Sequence, residues 1–214
     1  MPEFNFGYFL IMITVLILSI TVHEWAHAVT ADAMGDPLPR SQGRVTLFPL
    51  AHLDPAGTVL MIFTTITGVG LGWGKPVQSD PRAYTRFSRR VAGFLVVAAG
   101  PLSNLVIATV LSQIIRWGVV QDDFYLTWID VALRVNIGLC LFNLLPIAPL
   151  DGSKLLAYSL PTAMGESFLR YAERVGPMLL LILVMAPALG IPSPLRLILG
   201  PVLRSMYSFM TGIG

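Results

Sequence analysis

The stretch Phe4–Ala33, FNFGYFLIMITVLILSITVHEWAHAVTADA, decides how the chain is read. Its first part is an unbroken apolar run, and about 20 such residues suffice to cross the hydrocarbon core of a bilayer. Near its far end stands His23-Glu24-Trp25-Ala26-His27. Three ionisable side chains in five residues are expensive in a membrane helix, each costing about 2.5–3.5 kcal/mol at mid-bilayer on insertion scales. Such a cluster needs a partner. On a helix, residues i and i+4 lie on one face, so His23 and His27 can reach a single metal ion. Glu24 sits about 100° round the helix from His23, placed to hold a water on that ion and not the ion itself. Two buried, hydrogen-bonded histidines are the plainer alternative, and the cost of the cluster argues against it. The run also has no basic segment before it, since Glu3 is the only earlier charge, which argues against a cleaved signal peptide.

The rest of the chain agrees with a membrane setting. Of its 214 residues 55% are hydrophobic and only 12% charged, against about 25% in soluble proteins. Mean hydropathy is +0.73. This composition excludes a disordered chain and disfavours a soluble globule. The net charge of +2 is no nucleic-acid signature. Its excess is concentrated in Lys75, Arg82, Arg86, Arg89 and Arg90, which marks Trp73–Arg90 as a cytoplasmic loop. The lone Cys140 permits neither an intrachain disulfide nor a cysteine-rich metal site.

Further spans are expected over Val91 to about Ile115, Trp128 to about Leu145, and Tyr171–Leu189. Leu195–Met210 reads as a last short span or an interfacial helix. The acidic Gln121-Asp122-Asp123 lies outside. Arg44–Phe48, with Val45 and Thr46, has strand-like composition. The chain therefore reads as an all-α polytopic membrane protein, one domain over residues 1–214, with about four to six membrane helices and a small membrane-associated β element.

Two histidines do not complete a catalytic zinc site, which usually takes three protein ligands and leaves one position open. His52 lies in the polar stretch Ala51–Pro55, where a turn role is the plainer reading. Asp151 is the better third ligand. It ends Asn143-Leu144-Leu145-Pro146-Ile147-Ala148-Pro149-Leu150-Asp151-Gly152, where two prolines open a membrane helix. Irregular backbone at membrane depth is tolerated only where it is buried in protein or lines a wet cavity. A carboxylate there is a functional candidate.

Three motifs in order, HEWAH (His23–His27), AGPLSN (Ala99–Asn104) and NLLPIAPLDG (Asn143–Gly152), resemble the site-2 protease family of intramembrane zinc metalloproteases. Gly43–Thr58 and Gly72–Val77 look like a compact prokaryotic branch without PDZ or CBS domains. The resemblance runs from about residue 20 to 155. It implies one zinc ion per chain held by His23, His27 and Asp151, with Glu24 as catalytic base. Asn143 would be a polar group near the reacting carbonyl, and Asn104 a second polar position of the motif. It implies cleavage of membrane-spanning protein substrates in the lipid bilayer of the cell membrane. Two rivals stand beside it: a non-catalytic metal-binding protein or transporter, and an inactive scaffold. The paired repeats frequent in transporters are not seen.

Topology imposes a count. If Trp73–Arg90 is inside and Asp151 lies near the inner side, the first helix must run inward to bring His23 and His27 to it. Gly35–Gly57 is then inside as well, so Ala56–Gly72 starts and finishes on one side. That segment, rich in Thr and Gly, is expected to be re-entrant.

Overall fold

The computed structural model describes residues 5–67 and 72–213. The first helix, α1 (Phe6–Ala33), starts where the Asn5 side chain accepts the Tyr8 N–H at 2.9 Å. At 28 residues it is about 42 Å long. It stops in a Schellman motif: the Gly35 N–H donates to Asp32 O and the Asp36 N–H to Ala31 O. That geometry needs a left-handed residue after the cap, and Gly35 has φ of +105°.

After the short α2 (Leu38–Ser41) and a 3₁₀ turn at Pro49–Ala51 comes α3 (Pro55–Thr67). Two long helices follow, α4 (Arg89–Arg116) and α5 (Asp123–Asn143). Ser88 and Asp122 cap their first turns with side-chain oxygens. α5 ends just before the Pro146/Pro149 stretch, and the chain turns irregularly into α6 (Asp151–Ser159). α7 (Thr162–Met185) runs on into a 3₁₀ turn at Ala186–Leu189, and α8 (Pro194–Thr211) closes the described chain.

Among the described residues, four helical stretches are long and apolar enough to cross a membrane: Phe6–Ala33, Arg89–Arg116, Asp123–Asn143 and Thr162–Leu189. Three of them, α1, α4 and α5, pack mutually as the centre of the molecule. Ile11 and Val15 of α1 meet Val131 in the first half of α5, whereas Ala31 meets Ala92 near the start of α4. So α1 and α5 run parallel and α4 runs against both. α8 covers the α4–α5 pair through Leu203, Met206 and Tyr207, which pack on Ala108, Leu133 and Ile137.

The expected strand over Arg44–Phe48 is absent, and no strand forms among the described residues. A strand needs a ladder partner, and here loop acceptors are taken by side chains. His52 Nε2 donates to Thr46 O at 2.7 Å, and the Arg44 guanidinium donates to Ala51 O and Lys75 O. Among the described residues one isolated antiparallel bridge forms, between Leu53 and Gly74.

α3 has 13 residues and spans about 20 Å, too little to cross a bilayer alone. The chain then returns beside it. Gly72 lies against Met61, Trp73 against Gly57 and Gly74 against the His52 carbonyl, so 72–74 runs antiparallel to α3. The loop after it is stitched to the end of α1. Asp36 accepts the N–H groups of Leu38 and Asp80, and the Thr85 N–H donates to Met34 O. The segments carrying Arg44 and Arg82 therefore sit at the same end of α1.

Candidate metal centre

His23 and His27 lie in the second half of α1, one helical turn apart and on one face. Asp151 is the first residue of α6 and reaches them across the proline-broken segment that follows α5. His23 Nε2 is 3.1 Å and His27 Nε2 3.2 Å from Asp151 Oδ2, and the two Nε2 atoms are 3.1 Å apart. These atoms form a nearly equilateral triangle, drawn from residues 128 positions apart at the widest.

The hydrogen-bond network fixes which ring nitrogens face the triangle. Nδ1 of His27 lies 2.8 Å from Val96 O. A carbonyl only accepts, so this nitrogen carries the proton. Nδ1 of His23 lies 2.6 Å from Asn104 Oδ1. Asn104 turns its oxygen that way because its NH₂ donates to Ser19 O and to Asn136 Oδ1. Asn136 is oriented in turn by donating to Ser19 Oγ and Ala132 O. In their neutral forms both imidazoles thus hold their protons on Nδ1 and turn bare Nε2 lone pairs toward a carboxylate oxygen.

Three electron-pair donors converging within 3.2 Å in a buried place repel one another unless a cation lies among them. The spacing suits one. A tetrahedral zinc with nitrogen and oxygen ligands at about 2.0–2.1 Å sets those atoms about 3.3–3.4 Å apart. His23, His27 and Asp151 are the His/Cys/Asp/Glu group of the described residues whose ligand atoms approach closely enough to hold a metal ion.

The triangle opens on a cavity of about 1000 Å³, also lined by Glu24, Asn143 and the apolar side chains of Leu180 and Val184 on α7. Glu24 Oε2 accepts the Val77 N–H at 3.1 Å. Asn143 donates one amide hydrogen to Leu139 O at 3.0 Å, which leaves its second N–H for a guest in the cavity. Gly100 closes the floor: a Cβ there would stand 2.3 Å from His27 Nε2 and 2.6 Å from His23 Nε2.

Of the residues singled out from sequence, His23, His27 and Asp151 meet, Glu24 and Asn143 share their cavity, and Asn104 supports His23. His52 stands apart. His52 is fully buried in the 43–53 loop, and Asp54 accepts the Gly57 N–H at the start of α3. Sequence reading missed Asn136, Ser19, Gly100 and Arg44. For Asn136 a signal existed, an amide inside an apolar helix.

Over 188 residues the chain is 35% identical to a Bacillus subtilis protein named "Putative zinc metalloprotease YwhC", covering 82% of this chain and 80% of that one. The chain belongs to this family of zinc metalloproteases. A Mycobacterium tuberculosis relative named "Putative zinc metalloprotease Rip2" is 31% identical over 189 residues, 86% of this metalloprotease and 70% of that protein. Its Mycolicibacterium smegmatis namesake is 29% identical over the same shares. No protein-family model matches the metalloprotease, and no solved structure does so at a significant level.

Proposed function

We propose that the protein is a zinc-dependent endopeptidase of the site-2 protease type, cutting peptide bonds in or near transmembrane segments of other membrane proteins. The observation that carries this reading is the convergence of three lone-pair donors beside a carboxylate, at the floor of a largely apolar cavity. His23, His27 and Asp151 would hold the zinc. When bound, the ion supplies Lewis acidity that brings the pKa of water to about 7 and polarises a carbonyl.

Glu24 is the proton carrier. It accepts a proton from the attacking water and returns it to the departing amine. The second N–H of Asn143 is offered to the oxygen on which negative charge develops. The apolar walls supplied by α7 suit a guest that arrives from lipid. A helical guest must unwind first, because its own hydrogen bonds occupy the carbonyl to be attacked, so helix-weakening residues are expected near the cut.

The same reading sets the orientation. With the basic Trp73–Arg90 loop in the cytoplasm, α1 runs inward, α4 outward and α5 inward, and the centre lies nearer the cytoplasmic face of the cell membrane. α3 and the returning 72–74 segment form a re-entrant hairpin, supported by their antiparallel course and by the shortness of α3.

The test is cleavage in detergent of a single-span reporter whose membrane segment carries a Gly-Pro break, with and without chelator, alongside metal analysis. Glu24→Gln should keep zinc and lose cleavage by about 10²-fold or more. Asp151→Ala should lose both. A chelator-insensitive cleavage, or full activity in Glu24→Gln, overturns the assignment, and zinc binding without any cleavage favours a metal carrier.

A further inference from the structure

Glu24 is steered from outside its own helix. Its carboxylate receives the Val77 N–H, and Val77 belongs to the irregular segment that crosses α1 on the way from α3 to α4. That segment comes so close to α1 that a Cβ on Gly74 would lie 2.6 Å from Ile20 Cγ2 and 3.5 Å from Glu24 Cγ. No helix or ladder holds Gly74–Val77 at this height. What holds it is the 43–53 loop. The Lys75 N–H donates to His52 O at 2.7 Å, Gly74 bridges to Leu53, and the Lys75 carbonyl accepts from Arg44.

Arg44 is 3% exposed, although no acidic side chain hydrogen-bonds to it. Its fork instead spans two chain segments, giving Nη1 to Ala51 O and Nη2 to Lys75 O. Its charge also attracts the Glu24 carboxylate. Burying a guanidinium against neutral carbonyls is costly, and a point-like ammonium, lacking the planar fork, joins two diverging acceptors less well.

We infer that Arg44 is a positioning residue for Glu24: by clasping Ala51 O and Lys75 O it fixes the segment whose Val77 N–H aims the carboxylate into the cavity. This rests on the reading of Glu24 as proton carrier. Displacement of a catalytic group by about 1 Å costs on the order of 10²-fold in rate, so a small sag of the segment would be felt in turnover.

The test uses the full chain in detergent and the Gly-Pro reporter. Arg44→Gln should lower kcat about 10- to 100-fold with KM and zinc content unchanged. Arg44→Lys should recover part of that loss. Val77→Pro, which deletes the donor to Glu24, should give a similar fall in kcat, and the Arg44→Gln/Val77→Pro double variant should be little worse than either single one, because both break one chain of contacts. Where Arg44→Gln does not fold, Arg44→Lys replaces it in the cycle. Unchanged kcat in the folded Arg44 variants, a loss confined to KM or zinc content, or multiplicative effects in the double variant would overturn the inference. If Glu24→Gln itself cleaves normally, the functional reading fails instead, whatever Arg44 does.

Discussion

Gly100 marks how little room the centre leaves. A methyl group at this position would stand 2.3 Å from His27 Nε2 and 2.6 Å from His23 Nε2, well inside contact distance. Gly100→Ala is therefore expected to lose stoichiometric zinc while the helices still form, read by metal analysis together with circular dichroism. Asn104 acts more gently. It keeps the His23 proton on Nδ1, and loss of such an outer partner typically weakens metal affinity about 10- to 100-fold. Competition against a chromophoric chelator should show this fall for Asn104→Ala, and an affinity equal to wild type would remove Asn104 from the site. The sequence carried His23, Glu24, His27 and Asp151 legibly, because ionisable groups in apolar helices are costly and their spacing restricts what they can do. Ser19 and Asn136 were not legible as partners of that set. Helical phase tells which residues share a face, but not which neighbouring helix the face meets.

Among the elements, the proline-broken end of α5 was readable, since Pro146 and Pro149 remove the hydrogen bonds a helix needs. The 43–53 loop was not. Its β-branched residues suggested a strand, but Arg44 and His52 claim the acceptors a ladder would use. His52 gives this loop a pH dependence. Burial is the main cause holding its imidazole below the ordinary range, and the nearby Arg44 charge acts in the same direction. As the pH falls below about 6.5 the unfolded chain takes up this proton before the folded one does, so stability declines until the folded-state pKa is reached. Thermal unfolding in detergent should show a loss from pH 7.5 to 5.5 that shrinks in His52→Gln, which keeps a donor for Thr46 O. An equal loss in the variant would exclude His52 as its source.

At the level of the whole molecule, the count of crossings is testable. Single cysteines at the exposed Gln42, two residues before Arg44, and at Arg82 should react with an impermeant thiol reagent from one side of sealed vesicles, and a cysteine at Asp122 from the other. Reaction of the first two from opposite sides would overturn the re-entrant reading of α3. The native Cys140 is buried and should stay silent. The metal triangle has one more consequence. It joins the second half of α1 to the first residue of α6 across 128 positions of chain, and the contacts between these helices are otherwise few. An ion seated there would be a rivet as well as a reagent, because closing so long a loop restricts the unfolded chain. Stripping it should lower the melting temperature of even the Glu24→Gln protein, whose chemistry is already silenced, and readdition of zinc should restore it.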